Sequence, residues 1–235
     1  MSAHQLHTLL TGDPAEAARW VRSAAEHGMV AAQLRLGRML LEGTGVPRDE
    51  REAFQWFERA MRKGDAPATN MVGRCYENGW GVPIDLRLAA EHYRRSAEAR
   101  YHWGEYNLGN MLFDGRGVPL DRAQALGWYL RAARQGHARA MNLIGRCLEE
   151  GWGCPKDLHE ARYWYRRSAE SGYFRGQFNH ASALLEQKQA AQAAEWFRRA
   201  ALGGGPDIRG MVQAVLAHAT HPPLAASIAT GRGAL

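Results

Sequence analysis

An arginine or asparagine directly follows a glycine or its equivalent at Arg38, Arg74, Asn110 and Arg146, each 36 residues after the last. Such a column can grip without reacting. An asparagine offers both a donor and an acceptor, so a row of amides can hold the backbone of an extended peptide without reading its sequence. An arginine adds a planar fork that fits a carboxylate, and a charge-assisted hydrogen bond of this kind contributes ~1.5–3 kcal/mol when shielded from water. Equipment for bond-making is missing from the same sequence. The ten histidines form no His-Glu-x-x-His, the cysteines form no Cys-x-x-Cys, and no serine sits in a Gly-x-Ser-x-Gly elbow. His102 and His137 fall at predicted helix starts, where a polar residue is ordinary. No catalytic residue, metal site or cofactor is therefore expected.

The elements that must carry this column are set by a repeat. The phrase Gly-x-Gly-(Val/Cys)-Pro-x-Asp begins at Gly43, Gly79, Gly115 and Gly151, again every 36 residues. A period of this length marks units that bury their apolar faces against neighbours rather than in one closed core. Within one period two helices are predicted. The first covers Ala138 to Glu150, with Met141, Ile144 and Leu148 at helical spacing. The turn Gly151 to Asp157 follows, with Asp157 as N-cap of a second helix over Leu158 to Glu170 and Gly172 just past its end. The second-helix columns read Ala17, Ala53, Ala89, Ala125, Ala161 and Trp20, Trp56, His92, Trp128, Trp164. The first-helix columns of small residues read Ala32, Ala68, Gly104, Ala140, Gly176 and Gly37, Gly73, Gly109, Gly145, Ala181. All four are assigned to the core. A glycine inside a helix costs about 1 kcal/mol against alanine, so its recurrence predicts an aromatic ring or a backbone pressed close. The phosphate-cradle reading of the glycine turns yields to this register, which makes them connectors.

Both ends depart from the period. Leu9 to Ala17 and Leu184 to Ala193 join helices by shorter turns, and a helix over about Asp207 to His218 presents Ile208, Met211, Val212, Val215 and Leu216 as one apolar stripe. The expected organisation is a repeat region over residues 1–202, about six helix pairs with degenerate ends, a capping helix over 203–219 and a flexible tail over 220–235. The N-terminal segment lacks a basic stretch followed by an apolar one, and no run reaches the ~18 apolar residues needed to cross a bilayer. A cytoplasmic address is expected. Cys75 and Cys147 share one repeat position, Cys154 replaces a turn valine, and all three are expected to pack as free thiols. A net charge of +6 allows an acidic partner.

These residues resemble the Sel1-like repeats, a branch of the tetratricopeptide-type solenoids. The resemblance rests on Leu36-Gly37, Val72-Gly73, Leu108-Gly109 and Ile144-Gly145, the Gly-x-Gly-Val-Pro-x-Asp turn, and the Ala-x-x-Trp-(Phe/Tyr) pattern with its closing glycine. It covers about 200 of the 235 residues. It implies an all-α, right-handed α/α superhelix that binds proteins or peptides as a scaffold or adaptor and does no chemistry. The two cysteines per repeat of the secreted branch are absent, so its disulfide ladder is not implied. In such solenoids the helix bearing the Leu-Gly pair lines the concave groove. The resemblance then implies a binding surface of Arg38, Asn70, Arg74, Trp103, Tyr106, Asn110, Phe113, Asn142, Arg146 and Phe178, with Glu77, Glu149 and Glu150 at the rim. The Asn and basic residues are similar to carboxylate-clamp grooves that hold an acidic peptide end. The plain alternative is that Arg74 and Arg146 pair with Glu77 and Glu150 at helical spacing on a solvated face. A second basic column, Arg59, Arg95, Arg131 and Arg167, is predicted to face outward as a solvated ridge, or else as a track for nucleic-acid phosphates. A third reading has residues 222–235 fill the groove of the same or another copy. The glycine- and arginine-rich composition suggests a bacterial source.

Overall fold

The computed structural model describes residues 12–218. The described residues form twelve α-helices: α1 (Pro14–Glu26), α2 (Val30–Glu42), α3 (Glu50–Met61), α4 (Ala66–Asn78), α5 (Leu86–Glu98), α6 (His102–Asp114), α7 (Arg122–Arg134), α8 (Ala138–Glu150), α9 (Leu158–Glu170), α10 (Phe174–Glu186), α11 (Ala190–Gly203) and α12 (Pro206–His218). The start of the first predicted pair and the segment 222–235 fall outside them. Two compact units divide at Asp121. In the first, α1 to α6 pack in sequential order, and α4 also touches α6; in the second, α7 to α12 do the same, with α8 against α10 and α10 against α12.

Boundaries follow the capping chemistry. The Asp157 carboxylate accepts from the Glu160 N–H at 2.9 Å, and Asp49 and Asp85 cap α3 and α5 in the same way. Each long turn uses its two glycines differently. Gly151 ends α8 in the left-handed conformation at φ +75°, which an L-residue adopts only with strain. At Gly153 a Cβ would come within 2.5 Å of the Arg122 backbone, so the turn lies directly on the first residues of the preceding second helix. The shorter turn before α11 has no such glycine, and Lys188 takes the left-handed conformation itself at φ +61°.

The core reads differently from the sequence in one column. The helix glycines do meet aromatic rings: a Cβ at Gly37, Gly73 or Gly145 would strike Phe57, Tyr93 or Tyr165. Those rings follow the tryptophan column by one position. All three are buried, as are Tyr129 and Phe197 elsewhere in the same column. Of the tryptophans assigned to the core, Trp56 lies in it and the others lie at its margin. Trp56 is buried, Trp128 and Trp164 are half-buried, and Trp20 is 51% exposed. Two adjacent helical positions are 100° apart, and only one can point at the glycine.

Candidate functional site

The first helices α2, α4 and α6 of one unit and α8 and α10 of the other carry the ten predicted groove residues. In the second unit three of the ten meet. Asn142, Arg146 and Phe178 line an open hollow of about 330 Å³ together with Arg175 and Asn179, and Met211 of α12 closes one side. The helix predicted as an end cap thus continues the series of first helices.

Not all of these side chains present themselves as expected. Asn142 is only 4% exposed; its Oδ1 accepts from the Asn179 amide at 2.8 Å, tying α8 to α10. Asn70 is likewise 4% exposed and accepts from Asn107 at 2.9 Å, tying α4 to α6. The expectation of exposed peptide-gripping amides at Asn70 and Asn142 is corrected: one lone pair of each is spent between helices. A first helix turns about 100° per residue, and these positions fall toward the neighbouring first helix rather than out from it.

The arginines do stand outward. Arg38 and Arg146 are exposed and Arg74 is half-buried. The helical Arg-Glu pairing offered as the plain alternative does not form. Glu77 accepts from the Tyr93 hydroxyl and from Arg116 at 2.7 Å, and Glu149 accepts from Tyr165 at 2.6 Å. Arg74 and Arg146 lie instead over the indoles of Trp80 and Trp152, at 4.9 and 5.1 Å from the ring centres. Stacking uses the face of the guanidinium and leaves its in-plane N–H edge directed elsewhere; in Arg74 one Nη1–H also reaches the Met71 sulfur at 3.6 Å. Burial, with the adjacent Glu77 and Glu149 carboxylates, pushes the Tyr93 and Tyr165 hydroxyls far above their ordinary range, so both remain donors.

The remaining predicted residues belong to the first unit. Trp103 and Tyr106 form an edge-to-face pair at 5.9 Å on α6, while Asn110 and Phe113 are half-buried further along it. Arg38 lies near the Tyr101 hydroxyl at the start of α6. Burial is the main cause that raises that hydroxyl's pKa, and Arg38 opposes it. The outward column is held within its own helices. Arg59 and Arg131 stack on Trp56 and Trp128 at 4.4 and 4.3 Å, Arg95 pairs with Glu91, and Arg167 donates to the Tyr163 hydroxyl.

Sequence reasoning at a 36-residue period missed a second period of twice that length. The set Asn70, Arg74, Glu77, Trp80, Tyr93, Asn107 returns as Asn142, Arg146, Glu149, Trp152, Tyr165, Asn179, always 72 residues on. The signal was present: Tyr93 to Glu98 and Tyr165 to Glu170 both read Tyr-Arg-Arg-Ser-Ala-Glu. Averaging all repeats into one column hid it.

With the geometry in place, comparison with known proteins fixes the family. The Sel1 repeat model matches six segments, 8–29, 30–65, 66–101, 104–137, 138–173 and 176–205. The chain is a solenoid of helix pairs, and it belongs to the Sel1 repeat family. A Sel1 repeat protein of Oxalobacter formigenes is similar at 28% identity over 92% of this chain and 90% of that one, with a TM-score of 0.83. A protective antigen of uropathogenic Escherichia coli is similar at 29% identity over 97% of this chain, with a TM-score of 0.75; the match spans 52% of the antigen's length. An immunity protein of Pseudomonas aeruginosa, at 19% identity over 86% of this chain and 75% of that one and a TM-score of 0.59, shares the fold alone. No curated protein sequence matches the chain. Family members are generally protein-interaction scaffolds, and no enzymatic family is indicated. Among the described residues no helix is long and apolar enough to cross a membrane.

Proposed function

We propose that the protein is a non-catalytic scaffold that holds an extended segment of a partner protein on the face built by its first helices. One observation carries this reading: Arg146 and Arg175 border an open hollow floored by Asn142, Asn179 and Phe178, with Met211 as an apolar wall. Neither arginine has a carboxylate partner among the described residues, whereas the neighbouring Glu149 is engaged by Tyr165. A hollow that combines apolar surface with a few convergent polar groups is the usual form of a binding site. The outer ridge supports a polyanion track less well, because Arg59, Arg95, Arg131 and Arg167 are each engaged inside their own helix. Self-association through 222–235 concerns residues outside the described ones. An intracellular setting, where free thiols persist, suits the buried Cys75 and Cys147.

Affinity capture from the source cells tests the reading. Partner recovered by the native chain should be lost with Arg146→Glu plus Arg175→Glu and retained with Arg95→Glu plus Arg167→Glu. Loss with the second pair and retention with the first would transfer function to the outer ridge.

A further inference from the structure

The side chains around the hollow in the second unit have counterparts in the first. In each unit an amide pair ties adjacent first helices, Asn70 with Asn107 and Asn142 with Asn179. One helical turn further along, an arginine lies on a turn tryptophan, Arg74 on Trp80 and Arg146 on Trp152. A buried tyrosine donates to the glutamate three residues beyond that arginine, Tyr93 to Glu77 and Tyr165 to Glu149, and Glu77 is also paired with Arg116. The intervening repeats lack the tryptophan and the glutamate. Threonine and arginine, Thr44 and Arg116, stand where the tryptophans would be, and leucine and phenylalanine, Leu41 and Phe113, replace the glutamates.

Each part has a consequence for a ligand. The indole fixes the guanidinium plane in advance, so less side-chain freedom is lost when the N–H edge is engaged. The glutamate is engaged by the tyrosine hydroxyl rather than by the stacked guanidinium, whose N–H edge is left for a ligand. The amide pair uses one lone pair and one N–H and leaves further donors and acceptors at the same place. The complement is an extended peptide with an acidic side chain beside an apolar one.

We infer that the chain is bivalent: each compact unit holds one copy of the same carboxylate-receiving subsite, centred on Arg74 in the first and Arg146 in the second, and the natural partner offers two acidic-apolar segments. This rests on the first-helix face being the docking face, as proposed above. The subsites are not identical. Beside the amide pair the second unit has Arg175 and Phe178, and the first has Trp103 and Tyr106 at the same two positions. Linking two such contacts lets a partner with weak single segments bind tightly, because the second contact forms at a high effective concentration.

The test uses an acetylated, amidated peptide of three Asp-Leu repeats as the probe, titrated into the full chain by calorimetry and followed also by indole fluorescence. The expected result is two peptides per chain. Arg74→Gln and Arg146→Gln should each remove one, the double variant should remove both, and Arg95→Gln should remove neither. Trp80→Leu, which frees the guanidinium without touching its charge, should weaken the first-unit site about tenfold. One peptide per chain, lost only with Arg146→Gln, would overturn bivalency and leave the docking face standing. Two peptides insensitive to both substitutions would overturn the assignment to these arginines. No uptake at millimolar peptide, with cellular capture still sensitive to Arg146 and Arg175, would overturn the acidic-apolar ligand while sparing the scaffold reading.

Discussion

Single residues show where this chain departs from its own rule. Arg100 occupies the position that is Gly28, Gly64, Gly136 and Gly172 in the other repeats, and it adopts the left-handed backbone at φ +63°. An L-residue pays for that conformation in contact between its Cβ and the following carbonyl, so Arg100→Gly should raise stability by ~0.5–1 kcal/mol. Chemical denaturation would show it as a higher midpoint at unchanged slope; a lower midpoint would mean that the Arg100 side chain contributes more than its backbone costs. His180 departs in another way, standing in the column of Leu36, Val72, Leu108 and Ile144. Its ring packs against Trp196 of α11 at 5.3 Å, with Arg166 and Glu170 of α9 nearby, and its buried Nδ1 has no hydrogen-bond partner. Burial lowers its pKa below the ordinary 6.5. His180→Leu should therefore raise stability at pH 5 more than at pH 8, and thermal melts at the two values would reveal an equal gain if burial of the imidazolium were unimportant.

At the level of helices, the seam between a second helix and the next first helix alternates in composition. Ser96 and Ser168 donate to the Ala66 and Ala138 carbonyls at 2.8 and 2.7 Å, and each faces a glycine, Gly104 or Gly176. In two other repeats alanine stands at both of these positions, Ala60 and Ala68, and Ala132 and Ala140. The hydroxyl and the missing methyl are complementary: a Cβ at Gly176 would fall 2.1 Å from the Ser168 Oγ. Gly176→Ala should cost ~1–3 kcal/mol by overpacking, and Ser168→Ala added to it should recover a good part of that loss. A double-mutant cycle measures the coupling, and strictly additive losses would refute it. This seam also marks the limit of what the sequence made legible. Helix boundaries, caps and turn glycines were readable because each is a local event of two or three residues, as with Asp157 and Gly151. The Ser-Gly pairing, the Asn70–Asn107 bridge and the capture of Glu77 by Tyr93 join residues 8 to 37 apart. Each partner alone has an innocuous reading, so exposure at Asn70 and core burial at Trp20, Trp128 and Trp164 do not follow from position alone.

Taken whole, the chain is two stretches of one repeat that share a set of side chains duplicated at 72 residues. Its pH response is set by imidazoles: His92, His102 and His180 all have pKa values lowered from 6.5, chiefly by burial. For a base held neutral in the fold, stability is complete above the unfolded pKa and falls as pH drops from about 6.5 toward the lower folded values, because the unfolded chain takes up protons first. Melting temperature should accordingly fall between pH 7 and pH 5; a flat profile would show that these rings reach water. Acid loss at lower pH involves Glu195, whose carboxyl Arg198 and Arg199 hold down to about 2. The most direct test of the central claim is photocrosslinking in cells from p-benzoylphenylalanine placed at Met211, on the wall of the hollow beside Arg146, and at Arg167, on the outer ridge. The account predicts partner adducts from position 211 and none from position 167. Adducts from position 167 alone would contradict it.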